Sequence, residues 1–142
     1  MLKLEPYINF DGSCEDAFEF YKSVFGGEFK GLFRYEDLPN SEIQTPIPAM
    51  EKIVHIGLPI GETVVLMGTD KPDHPSAKEP GNIELAISTS DEAEVVRIFN
   101  ALSEGGKVTM PLQKTFWAEL YGTFTDKFDI HWIISKAKQE DA

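Results

Sequence analysis

A helical segment that ends in a glycine pair and runs on into strand-forming sequence occurs twice in this chain, and that duplication constrains the fold more than any other feature. The first copy is FDGSCEDAFEFYKSVFGGEFKGLF, Phe10 to Phe33. Ser13 is placed to cap a helix in which Ala17, Phe20, Tyr21, Val24 and Phe25 recur at helical spacing as one apolar face. Gly26 and Gly27 follow that face directly, where glycine closes a helix at little cost. A phosphate-binding loop needs its glycines ahead of a helix, with the N-terminal N–H groups facing the anion, so this pair reads as a stop signal. The second copy is SDEAEVVRIFNALSEGGKVTMPL: a Thr89 or Ser90 cap, an apolar face of Val95, Ile98, Phe99 and Leu102, then Gly105 and Gly106.

Each helix is preceded by a strand candidate, LEPYINF and NIELAIS, and followed by three. In the first half these are EFKGLFRY, KIVHIGLPI and ETVVLMG; in the second they are KVTMPL, TFWAELYGTFT and DIHWIIS. Both halves read strand, helix, strand, strand, strand. The expectation is a single α+β domain over 1–142, made of two βαβββ modules, 1–70 and 81–136, joined by a proline- and charge-rich linker at 71–80. One helix covers one face of a four-stranded sheet, so the other face has to bury against something or bind something. Pairing the two curled mixed sheets is expected to leave a cavity between the modules, and a small-molecule function belongs there. The first half also carries an insertion, Glu36 to Glu51, with three prolines and little periodicity. It is either a plain surface loop or a lid over a pocket.

Acids outnumber bases 24 to 13, for a formal charge of −11. That charge repels phosphate-rich partners and removes the counterion-release contribution to nucleic-acid binding, so DNA, RNA and anionic membranes are excluded as partners. It favours a cationic or neutral ligand. No apolar run approaches the ~20 residues of a membrane span, and MLKLEPYINF lacks the apolar region of a signal peptide, so a cytoplasmic location is expected. Cys14, the single cysteine, has no internal disulfide partner and no histidine near it in sequence, which argues against a nucleophile.

Candidate site residues come from strand alternation. His55, in KIVHIGL, shares a strand face with Ile53 and Gly57; it either points into the cavity as proton shuttle or donor, or is a hydrogen-bonded core histidine. In the matching strand of the second half, FWAELYG, the two-residue period puts Trp117, Glu119 and Tyr121 on one face. If that face lines the cavity, Glu119 is the first choice for a general base, with Trp117 and Tyr121 as stacking walls; if it faces solvent, Glu119 is ordinary. Glu84, between Ile83 and Leu85, is a second carboxylate of the same kind. His74, in the linker, and His131 read as solvent-facing.

The repeated unit, with PYINFDGSCEDAFEFYKSVFGGE near the start and GGKVTMPLQKTFWAELYGTFTDKFDIHWII near the end, closely resembles the PhnB-like branch of the glyoxalase/bleomycin-resistance/dioxygenase (vicinal oxygen chelate) superfamily. The resemblance implies the paired-module fold and a homodimer. It also implies a divalent metal held by His or Glu on the first and last strands of each module, chelating two vicinal oxygens of a substrate. At those positions this chain offers Asn9, with Asn82 or Glu84, on the first strands, and Leu66, Met67 and Ile133 on the last. The hydrocarbon side chains of Leu66 and Ile133 do not ligate metals, so no metal site and no cofactor are expected. The label 3-demethylubiquinone-9 3-methyltransferase, carried by some of the branch, gains no support here, because no glycine-rich strand-to-helix turn offers a nucleotide-type methyl donor a seat. Two functions of different class remain. One is a binding protein whose cavity, with Trp117, Tyr121, Asn9 and Glu84 among its contacts, traps a small organic ligand. The other is an enzyme of lyase, isomerase or dioxygenase type, metal-dependent or working by acid/base chemistry through His55 and Glu119, on a small oxygenated substrate.

Overall fold

The computed structural model describes residues 2–39, 49–78 and 81–138. The chain divides into two compact units, Met1–Gly81 and Asn82–Ala142. In the first, β1 (Tyr7–Phe10), α1 (Cys14–Phe25), β2 (Lys30–Arg34), β3 (Ile53–Ile60) and β4 (Val64–Asp70) are followed by a short α2 (Pro75–Lys78). Its sheet has the order β1-β4-β3-β2, with β1 parallel to β4 and the other neighbours antiparallel. In the second, β5 (Leu85–Ser88), α3 (Glu92–Ser103), β6 (Lys107–Gln113), β7 (Ala118–Thr125) and β8 (His131–Ala137) give the order β5-β8-β7-β6, again with only the outer pair β5–β8 parallel. Each unit thus has the strand–helix–strand–strand–strand order, and the fold is α+β with two mixed four-stranded sheets.

Both helices form where expected, but their caps differ from the sequence reading. The Ser13 side chain makes no cap bond. Asp70, fully buried at the end of β4, does this work: Oδ1 accepts the Cys14 N–H at 2.9 Å and Oδ2 the Ile53 N–H at 3.0 Å. A carboxylate at a helix N-terminus satisfies an otherwise unpaired donor and favours the local dipole. In α3 the cap is Asp91, not Thr89 or Ser90; its carboxylate accepts the Ala93 and Glu94 N–H groups, while the Thr89 hydroxyl accepts the Asp91 N–H at 3.3 Å.

The buried face of α1 is Cys14, Ala17, Phe18, Tyr21 and Val24, so Phe18 takes the central place expected for Phe20, which lies half-buried at the margin with Phe25. In α3 the buried face is Val95, Ile98, Phe99 and Leu102, as the spacing requires. Each unit seats one helix phenylalanine over a strand glycine. A Cβ on Gly68 would lie 2.6 Å from the Phe18 ring, and one on Gly122 2.6 Å from the Phe99 ring. The repeated glycine pairs do end the helices: Gly26, Gly27 and Gly105 have φ of +77°, +84° and +78°. Gly106 has a different reason, since a Cβ there would sit 2.1 Å from the Thr125 carbonyl oxygen.

The linker region is not an isolated tether. In it α2 packs on β1, and the Asn9 amide donates to the Ser76 hydroxyl at 2.9 Å. Of the insertion Glu36 to Glu51, residues 40–48 lie outside the described residues. Its two ends pair with each other, through Glu36 N–H to the Met50 carbonyl at 2.9 Å and Tyr35 N–H to the Lys52 carbonyl at 3.0 Å. Among the described residues no helix is long and apolar enough to cross a membrane.

Candidate functional site

In the first unit the pleat sorts the sheet into two faces. Ile8, Ile56 and Gly68 are in register and lie on the α1 side, because Gly68 abuts Phe18 and Cys14. Tyr7, Gly57 and Met67, in register one residue away, lie on the face that carries no long helix, with His55 by alternation from Gly57 and Phe33 by its pairing with His55. Here the Tyr7 and His55 rings are 5.8 Å apart at 38°. Gly31, with φ +69°, keeps a side chain away from the imidazole: even a Cβ there would sit 3.7 Å from His55 Cδ2 and 3.9 Å from Nε2. Tyr7 is 47% and Phe33 52% exposed. The His55 ring is half-buried and makes no hydrogen bond among the described residues. The covering that Tyr7 does have raises its phenol above the ordinary tyrosine value, against a smaller effect of the Thr69 hydroxyl, so it is a neutral donor at neutral pH.

The metal that the superfamily implies does not fit the side chains at the corresponding places. On β1 and β4 the face opposite α1 offers Tyr7 opposite Met67, and Asn9 opposite Thr69, with the Asn9 amide already committed to Ser76 of α2. Leu66 is buried in the core. On β5 and β8, Ala86 is opposite Ile133. Glu84 lies exposed ahead of β5 with no ion pair or hydrogen bond among the described residues. Hydrocarbon, thioether, phenol and amide groups make a poor set for a divalent ion that wants carboxylate or imidazole. Among the described residues there is no group of three His, Cys, Asp or Glu side chains arranged to hold one.

In the second unit the expected row Trp117–Glu119–Tyr121 is broken. Ala118 pairs with Ala137 but Leu120 pairs with Lys136, so two β7 residues oppose one on β8: a β-bulge at Glu119. The bulge re-aims Glu119. Its Oε2 accepts from Lys136 Nζ at 2.9 Å, and the same ammonium lies 3.9 Å from Glu92 Oε1 on α3, which places the pair on the α3 side of the sheet. The bond to Glu119 raises the Lys136 ammonium above the ordinary lysine value. Tyr121, opposite Ser135, stays on the other face, where the Trp117 ring meets it edge-on at 5.2 Å. Trp117 itself precedes the strand and is 46% exposed. Glu119 and Lys136 line a cavity of about 450 Å³ with Ser88, Thr89, Ser90 and Lys138.

His55 and Glu119 therefore belong to different units. His74 is exposed, and its Nδ1 takes the Ser76 N–H at 3.2 Å and lies 2.8 Å from the Ser76 hydroxyl, a local cap of α2. His131 Nδ1 is 2.8 Å from the Thr125 hydroxyl across the β7–β8 pair. The Cys14 thiol is fully buried; burial, then the Asp70 and Glu15 carboxylates, push its pKa far up, which suppresses the reactive thiolate. Sequence reasoning missed Tyr7 and Phe33. Tyr7 was within reach, since it alternates with Asn9, but its place beside His55 depends on β1 pairing with β4. Lys136 was hidden by the bulge.

Two βαβββ units, each a mixed sheet with its outer strands parallel and one face carrying a helix, define a paired-module protein of the glyoxalase and dioxygenase type. The model of the Glyoxalase/Bleomycin resistance protein/Dioxygenase superfamily matches residues 3–134, and the chain belongs to that superfamily. It is 29% identical to Protein YjdN of Escherichia coli K12, over 98% of each chain. Its structure resembles that of protein PA1353 from Pseudomonas aeruginosa, with a TM-score of 0.80 and 36% identity over 96% of this chain and 98% of that one. The PhnB protein of Bacillus cereus, named there as a candidate 3-demethylubiquinone-9 3-methyltransferase, shares the fold with a TM-score of 0.77 at 22% identity, over 96% of this chain and 100% of that one.

Proposed function

We propose that this protein binds a small organic ligand on the face of its first sheet opposite α1, around His55, without the metal of its superfamily. The observation that carries this reading is the Tyr7–His55–Phe33 group: two half-exposed aromatic side chains flank an imidazole that has no hydrogen-bond partner among the described residues. Exposed aromatic surface beside a polar group with no protein partner is what a mostly apolar ligand with one hydrogen-bonding function needs. A flat, uncharged ring compound fits this chemistry best. Trp117 and Tyr121 offer a second aromatic surface in the other unit, with Asn9 and Glu84 as peripheral contacts. The reading places the protein in the cytoplasm as a homodimer.

Catalysis is the second reading, and the packing of the Tyr7 ring 5.8 Å from the His55 ring favours it, because a phenol and an imidazole share one patch. The test is an amide-resolved NMR titration with planar aromatic fragments, repeated on Phe33→Ala and His55→Ala. Saturable shifts centred on residues 7, 33, 55 and 67, weakened about tenfold by either substitution with the fold intact, are expected. Shifts centred elsewhere, or unchanged by both substitutions, overturn the assignment. Turnover of a bound fragment that His55→Ala abolishes would select the enzyme.

A further inference from the structure

We propose that the second unit carries a separate site for a small oxyanion, a carboxylate or phosphate group, in the cavity between the β5–α3 turn and the end of β8. This cavity measures about 450 Å³, within the range of small-ligand pockets, and is built from three segments brought together by the sheet: Ser88–Ser90, the Glu119 bulge and Lys136–Lys138. Its charges decide the ligand. Glu119 is neutralised by Lys136 at 2.9 Å, and Glu92, the next carboxylate, faces the same ammonium at 3.9 Å. Asp91 spends its carboxylate on the Ala93 and Glu94 N–H groups. Among the described residues, every acid at the cavity is thus engaged. Lys138 is not: it makes no ion pair or hydrogen bond among the described residues, and neither do the hydroxyls of Ser88 and Ser90.

The cavity offers one ammonium and two exposed hydroxyls that have no protein partner among the described residues, in a lining whose two lysines outnumber its one carboxylate. That is the reverse of the −11 charge of the whole chain. Charge-assisted hydrogen bonds from an ammonium and hydroxyls are the ordinary means of holding a carboxylate or phosphate oxygen. The bulge makes the arrangement: it brings Glu119 to Lys136, and so leaves Lys138 without a carboxylate partner among the described residues. The site lies on the α3 side and on the other unit from His55, so it does not depend on the reading given above.

The experiment is an amide-resolved NMR titration of the full chain with sodium phosphate and, separately, sodium succinate, against sodium chloride at matched ionic strength. Saturable shifts at residues 88–90 and 136–138, weakened roughly tenfold in Lys138→Gln and also in Ser90→Ala, are expected. A response to phosphate alone assigns a phosphate ligand and a response to succinate alone a carboxylate. Shifts reproduced by chloride, retained in both variants, or missing from these residues overturn the proposal. The spectra report the fold of each variant, and the resonances of residues 7, 33 and 55 report the first site independently.

Discussion

Phe18 is the side chain whose truncation the first unit tolerates least. It is fully buried, packs edge-on against Phe10 and Tyr21, and sits over Gly68 with no room between. Phe18→Ala should cost about 3–5 kcal/mol in urea unfolding, whereas Phe20→Ala, at the margin of the same face, should cost clearly less. Equal costs would mean that the helix is rotated from the position described. The sequence places the helix, its ends and most of its core face, but it cannot choose between Phe18 and Phe20: both lie at helical spacing from Val24, Tyr21 or Ala17, and the choice depends on where a distant glycine opens the sheet. The Asp70 cap was illegible for a similar reason, since its partner is 56 residues away. Cys14 allows a further check. Its buried, strongly raised thiol should be unreactive to aromatic disulfide reagents in the native state and react fully on unfolding. Stoichiometric labelling of the folded protein would contradict that.

At the scale of elements, the ion pair that joins α1 to β2 sets a small acid-dependent contribution to stability. Arg34 grips Glu15 in a bidentate pair, at 3.0 and 2.7 Å, while also donating to the Glu51 carbonyl at 2.8 Å, so it ties the helix, the strand and the far end of the insertion together. The hydrogen bond from Arg34 holds the Glu15 carboxyl below its ordinary value of 4.5. A depressed folded-state pKa means that the contribution is present in full above that ordinary value and fades as pH falls through the lower, folded one. Both side chains are partly exposed, so no more than about 1 kcal/mol is at stake. Glu15→Gln should lower stability at neutral pH by up to that amount and remove the same part of the acid slope; an unchanged slope would mean that the pair is not formed. Strand alternation found the Trp117–Tyr121 face. It failed at Glu119 because a bulge shifts the pleat by one residue and leaves no trace in hydrophobic periodicity. Glu119→Ala should therefore leave Lys136 with Glu92 as its one described partner, with little loss of fold, and leave fragment binding around His55 unaltered.

At the scale of the whole molecule, the duplicated helix–glycine–strand signal was enough to give the element order of both βαβββ units, because a repeat repeats its elements whatever their side chains later do; the superfamily came from the resemblance of the stretches at either end of the chain. The site was less legible, since membership carries an expectation about metal that the side chains of this chain do not meet. At the positions the resemblance implies for carboxylate or imidazole ligands, the chain has Asn9, Asn82 or Glu84, Leu66, Met67 and Ile133. On the proposed function, the fold binds an organic ligand here and leaves those metal positions unused. The most direct measurement is elemental mass spectrometry of protein purified without chelators, with thermal unfolding followed on addition of Zn²⁺, Ni²⁺, Mn²⁺ or Fe²⁺. No stoichiometric ion, and no rise in melting temperature, is the predicted result. An ion at one per chain, or a rise of the size that tight binding to the native state requires, would contradict the account and return the protein to chelate chemistry.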